Sequence, residues 1–136
     1  MVRLIMGGKG SGKTKQLIEM VNNAAKDEAG NVVCIEAKRN MTYDIHYHIR
    51  LISAEEYKLD SYDAFRGFIS GLYAGNYDIS QVFIDNLCKA VNRDIDKDAE
   101  DFLNWLDAFG EKNGIKFVAT ISADESAATD GMKKYL

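Results

Sequence analysis

The octapeptide Gly7–Thr14, GGKGSGKT, follows directly on the apolar run Val2–Met6 and precedes a stretch in which Leu17, Ile18, Val21, Ala24 and Ala25 recur at helical spacing. A short apolar run stopped by glycine reads as a buried strand. The stripe after it reads as an amphipathic helix over roughly Lys13–Asp27. The chain therefore passes from a strand through a glycine loop straight into a helix. That is the first half of a βαβ unit, and such units build parallel sheets.

The same alternation continues along the chain. Gly30-Asn31 breaks the helix, and NVVCIEA predicts a second strand over Val32–Ala37. The polar, aromatic stretch Lys38–Ser61 holds one short strand candidate, Ile49–Ile52. Phe65, Phe68, Ile69, Leu72 and Tyr73 mark a further helical face. Gly67 and Gly71 weaken that helix and would allow close packing. QVFIDN, Gln81–Asn86, is a strong strand. The acidic stretch Asp98–Asp101 suits the start of a helix whose face is Phe102, Leu103, Leu106 and Phe109, with Trp105 beside it as core packing. Asn113-Gly114 is a stop signal, and Ile115–Ser122 is the last strand. The tail from Ala123 is small and polar, with a few apolar residues at the end. There is no proline, so turns rely on Gly, Asn and Asp. The expectation is an α/β fold, one domain over residues 1–136, with a mostly parallel sheet and helices on both faces as a three-layer sandwich. Ligands of such sheets bind beyond the carboxyl ends of the strands.

The chemically distinctive residues fall at those ends. Gly7, Gly12, Lys13 and Thr14 meet the pattern G-x-x-x-x-G-K-[ST]. Glycines at 7, 8, 10 and 12, with Lys9 and Ser11 between them, let the backbone curl so that several N–H groups point at phosphate oxygens. The helix behind the loop adds its positive end. Lys13 is placed to reach the β- and γ-phosphates of a nucleotide, and the Thr14 hydroxyl to ligate Mg²⁺. The alternative, a chance glycine-rich turn, does not account for the strand before it and the helix after it. One subclass of such loops carries a second lysine five residues before the first; here that position is Gly8, and Lys9 reads as an exposed cation. A metal held by one hydroxyl and phosphates needs an anionic partner from a nearby strand end, and VFIDN offers Asp85. Asp78, Asp94, Asp96 and Asp98 lie outside strands and read as solvated charges.

Composition narrows the classes. With 46% hydrophobic and 28% charged residues the 136-residue chain has enough apolar material for one core. Its net charge of −4 disfavours nucleic acid as a partner. No apolar run is long enough to span a bilayer, and the few apolar residues before Gly7 are too short for a secretory signal core. A cytoplasmic protein is expected. Cys34 and Cys88 lack metal or redox spacing, and Cys34 reads as a small buried hydrophobe.

GGKGSGKT together with VFIDN resembles the Walker A and Walker B motifs of the P-loop NTPase superfamily. The resemblance implies ATP and Mg²⁺ as ligands. The GTPase branch is unlike this chain: VNRDID is not the guanine-reading N-K-x-D, and Asp85 is followed by Asn86-Leu87-Cys88 without glycine. Small-molecule kinases carry an arginine-rich lid after the metal strand, where this chain has only Arg93. The RecA-like branch is more similar. VVCIEAKRN resembles the strand of type IV pilus and secretion ATPases that ends in a water-activating glutamate, which makes Glu36 the candidate base. The branch also places a polar residue near the γ-phosphate at a later strand end, for which FVATIS offers Thr120 and Ser122. Many relatives add a glutamate directly after the metal aspartate; here that position is Asn86. The chain is small for the motor members of that branch, so a pilus motor is not implied. A trans-acting arginine would require a second copy or an activating partner, and Arg39, Arg50, Arg66 and Arg93 are all candidates.

The expected function is a Mg²⁺-dependent ATP-binding protein with weak or partner-activated ATPase activity. Two alternatives stay open: a non-catalytic nucleotide-binding regulatory module, and a small-molecule phosphotransferase. His46 and His48 have strand-face spacing for two metal ligands, but no cysteine or third histidine supports a metal site. The stretch MTYDIHYHIRLISAEEY mixes aromatic and basic residues, as a base-stacking surface does. A nucleobase pocket or a partner surface explains those residues equally well.

Overall fold

The computed structural model describes residues 1–38 and 44–136. Five strands, β1 (Val2–Gly7), β2 (Asn31–Glu36), β3 (Arg50–Ser53), β4 (Ile79–Asp85) and β5 (Lys116–Ser122), form one sheet in the order β1-β5-β4-β2-β3. All four neighbouring pairs are parallel. Among the described residues the α-helices are α1 (Lys13–Asp27) between β1 and β2, α2 (Tyr62–Gly75) between β3 and β4, and α3 (Leu87–Val91) and α4 (Lys97–Asn113) between β4 and β5.

The strands read as continuous apolar runs because helices cover both faces, as parallel sheets require. On one face, Leu17, Val21 and Ala24 of α1 pack with Ile45 and Ile49 on Val32, Cys34, Phe83 and Val118. On the other, α2 and α4 bring Phe65, Ile69, Phe102, Leu103 and Leu106 onto Val33, Ile35, Val82, Ile84, Phe117 and Ala119. The helix starts follow from local chemistry. Ser61 accepts a hydrogen bond from the Ala64 N–H at α2, and Asp96 accepts one from the Ala99 N–H at α4, each at 3.0 Å. Cys34 is fully buried, and burial pushes its thiol pKa up, so it behaves as an apolar core residue. Among the described residues no helix is long and apolar enough to cross a membrane.

Two details differ from the sequence reading. Atoms built onto Gly67 and Gly71 would meet nothing within 4 Å, so neither glycine serves close packing. They line an open groove with Tyr57, Leu59, Phe68 and Leu72 instead. The short helix α3 was not expected. The apolar residues of the tail join the core: two 3₁₀ turns, Glu125–Ala127 and Asp130–Tyr135, carry Ala128, Met132 and Tyr135 back onto it. Tyr135 donates to Asn104 Oδ1 at 2.6 Å, and Thr129 donates to Glu100 Oε1 at 2.8 Å, which ties the tail to α4.

Candidate functional site

β1 ends at Gly7 and α1 begins at Lys13, so residues 8–12 turn the chain from sheet to helix. The turn closes with the Ser11 N–H donating to the Gly8 carbonyl at 3.1 Å. Gly10 and Gly12 both sit at φ +84°, in the left-handed region that a side chain would strain. No side chain caps α1, and its first turn holds no acidic residue. Its amino-terminal N–H groups and its dipole therefore face outward without an anion of the chain's own. Lys13 folds back over this turn, its Nζ 3.5 Å from the Gly8 carbonyl oxygen, and is only 9% exposed. Lys9, Ser11 and Thr14 are exposed around it.

The carboxyl ends of the strands complete the arrangement. Strand register aligns Ile5 with Thr120, and Glu36 with both Asp85 and Ser53. Glu36, Asp85 and Thr120 each lie two residues beyond a side chain packed under α1, namely Cys34, Phe83 and Val118. The two-residue period of a strand puts all three on the α1 face, at the end where the glycine loop crosses. They form a polar row over β2, β4 and β5, and all are buried: Glu36 to 1%, Asp85 to 7% and Thr120 to 0% exposure.

Thr120 joins two strands in that row. Its hydroxyl donates to Asp85 Oδ1 at 2.8 Å and accepts from the Asn86 N–H at 2.8 Å. Asn86 is in the left-handed region, at φ 57°, and opens α3. Burial pushes the Asp85 pKa up; the Thr120 hydrogen bond and the charges of Lys13 and Lys89 partly oppose the rise. Asp85 and Lys13 thus feel one another although they come from opposite sides of β5.

An open cavity of about 710 Å³ borders the loop, lined by Lys9, Asn86, Lys89, Arg93, Asp94 and Ser122 among others. Ser122 aligns with Gly7 and is exposed there, two residues beyond Thr120. Of the arginine candidates, Arg93 is paired with Asp96 at 2.6 Å and Asp98 at 2.7 Å, and Arg66 with Asp63 at 2.9 Å over the Phe102 ring. Arg50 begins β3, at the opposite end of the sheet from the loop. Arg39 lies outside the described residues, as does the part of the aromatic stretch from Met41 to Tyr43. His46 and His48 stack on each other at 4.9 Å, and His46 Nδ1 accepts the His48 N–H.

Among the described residues no group of three or more His, Cys, Asp or Glu could hold a metal by itself. The donors at hand, the exposed Thr14 hydroxyl and the Asp85 carboxylate with Oδ2 outside the Thr120 bond, are hard oxygens. That set fits Mg²⁺, which keeps several waters and relies on few protein groups plus phosphate oxygens. It does not fit a soft or fully protein-ligated ion.

Two residues escaped the sequence reading. Lys89 acts electrostatically on Asp85 and lines the cavity; its signal was a lysine one helical turn after the strand-end aspartate. Asn86, which the sequence places at the end of the strand and in the position of a glutamate, instead supplies the left-handed turn after β4, a conformation asparagine tolerates. In comparisons with known proteins, no family model matches the chain and no curated protein matches it.

Proposed function

We propose that this chain is a cytoplasmic P-loop protein of the RecA-like kind that binds ATP with Mg²⁺ and hydrolyses it slowly or on activation by a partner. The observation that carries this reading is the meeting of two features at one end of the sheet. An uncapped helix start with Lys13 folded over its loop stands beside the buried row Glu36–Asp85–Thr120.

Each residue then has a physical task. The N–H groups of residues 8–12 and the α1 dipole attract phosphate oxygens. The Lys13 ammonium, already above Gly8, neutralises the terminal phosphates. Thr14 and Asp85 would hold Mg²⁺, which neutralises charge on the β- and γ-oxygens when bound. Asp85 Oδ2 is the carboxylate oxygen left for a metal-bound water. Glu36, one strand away, would accept the proton of the attacking water. Asn86 stands where a second glutamate would be, and Arg66 and Arg93 are held in ion pairs, so none of these three residues would speed turnover in the isolated chain.

The test measures nucleotide affinity and phosphate release for the wild type and Glu36→Gln. Release should fall by about 100-fold or more, with affinity unchanged within about twofold. Undiminished release would remove Glu36 from the mechanism. A second reading, phosphotransfer to a small acceptor, is favoured by the cavity beside Lys9 and Lys89. It predicts nucleotide consumption only when an acceptor is added.

A further inference from the structure

We infer that Thr120 is a positioning residue that orients Asp85 for Mg²⁺ and sets the turn at Asn86, rather than a side chain that reads the γ-phosphate. The inference rests on the Mg²⁺-nucleotide reading proposed above and assigns a role within that site.

The hydroxyl of a threonine has one proton and two lone pairs. In Thr120 the proton is spent on Asp85 Oδ1, and one lone pair takes the Asn86 N–H. The side chain is completely buried on β5, with β1 and its glycine loop on one side and β4 on the other. A buried hydroxyl committed in this way has no donor left for a phosphate oxygen. What it does have is control of its two partners. The bond to Oδ1 fixes the rotation of the Asp85 carboxylate, leaving Oδ2 as the free oxygen. The bond from Asn86 N–H holds the chain where it leaves β4 in the left-handed region, and that turn aims α3 and Lys89 beside the loop. One hydroxyl thus couples the orientation of the metal carboxylate to the backbone next to it. Partners of this kind, hydrogen-bonded to a metal-holding carboxylate, typically tune metal affinity by about 10- to 100-fold. Ser122, exposed on the cavity rim and two residues further on, keeps a hydroxyl that can meet a ligand.

The experiment uses the full chain and a non-hydrolysable ATP analogue. Its affinity is measured by calorimetry in EDTA and in saturating Mg²⁺, and the ratio gives the metal enhancement. Melting temperatures are recorded alongside. Thr120→Val, which keeps the shape and deletes the hydroxyl, should cut the enhancement by about tenfold and leave the affinity in EDTA within about twofold. Thr120→Ser should restore the wild-type ratio. Thr120→Cys, a weaker donor of similar size, should fall between them, and it serves as the test if the valine variant does not fold. A merely structural hydroxyl would lower the melting temperature and weaken binding equally with and without metal. That outcome, or an unchanged enhancement in the valine or cysteine variant, overturns the inference. If the wild type shows no nucleotide binding at all, the functional reading fails instead, and the two failures are told apart by that control.

Discussion

The two ends of the sheet handle charge in opposite ways. At the amino end, Glu28 at the close of α1 accepts from Lys116 at 2.6 Å and from the Ser80 hydroxyl at 2.8 Å, which ties α1 to the starts of β5 and β4. Lys116 holds the Glu28 pKa below the usual glutamate range, so the carboxylate is content as an anion. At the carboxyl end, Asp85 is buried with a hydroxyl as its nearest partner, and burial drives its pKa up. The same sheet thus carries one carboxylate that the fold stabilises and one that the fold strains. Structural ion pairs need nothing more, whereas a strained carboxylate beside an uncapped helix start is what a cation and an anion together would relieve. Perturbed groups of this second kind concentrate where proteins bind and react.

Substitutions at each end should separate the two roles, beginning with the largest effect. Asp85→Asn should reduce Mg²⁺-dependent tightening of nucleotide binding by about tenfold or more. The same change should raise the melting temperature of the free protein at pH 7 by about 2–4 °C. The sign follows from linkage: a carboxyl whose folded pKa is raised opposes folding once ionised, so the gain disappears below about pH 4, where aspartate is protonated even in the unfolded chain. Calorimetric melts across pH check both limbs, and a variant less stable than wild type at pH 7 would dissolve the contrast.

Glu28→Gln should do the reverse. It should cost about 1 kcal/mol at pH 7, discounted because Lys116 is half exposed, and leave nucleotide affinity unchanged. A lowered folded pKa contributes stability above the unfolded value and loses it as the pH falls through the folded one. The cost should therefore fade in acid, in urea melts at falling pH. The smallest effect is expected from Lys9→Ala. The side chain is exposed and reaches the site from outside, so ATP affinity should weaken by about twofold to threefold at low salt and less at high salt.

Much of this contrast could be read from local pattern, and part of it could not. Each strand core was visible as an apolar run, and α1 was located to the residue because the glycine loop pins its start. The strand ends shifted by one or two residues: β4 stops at Asp85 and β2 at Glu36, both still buried, so the change from core to surface that marks a boundary in a sequence is missing there. Strand order is different in kind. That β5 lies between β1 and β4 is a tertiary choice with no local signature, yet it is what brings Thr120 to Asp85 and Lys13 to the same carboxylate. Helix α3 is five residues long, too short to show a period, and it depends on the left-handed Asn86. The tail hid its packing because it forms only two short 3₁₀ turns, Glu125–Ala127 and Asp130–Tyr135.

The central claim is that the glycine loop and Lys13 bind the phosphates of a nucleotide. It is met most directly by titrating Mg²⁺-ATP into the wild type and Lys13→Ala while following the heat of binding. The account predicts saturable one-to-one binding for the wild type and a loss of affinity of about 10- to 100-fold in the variant, the worth of a charge-assisted contact to phosphate. Equal affinity in the two proteins would contradict it.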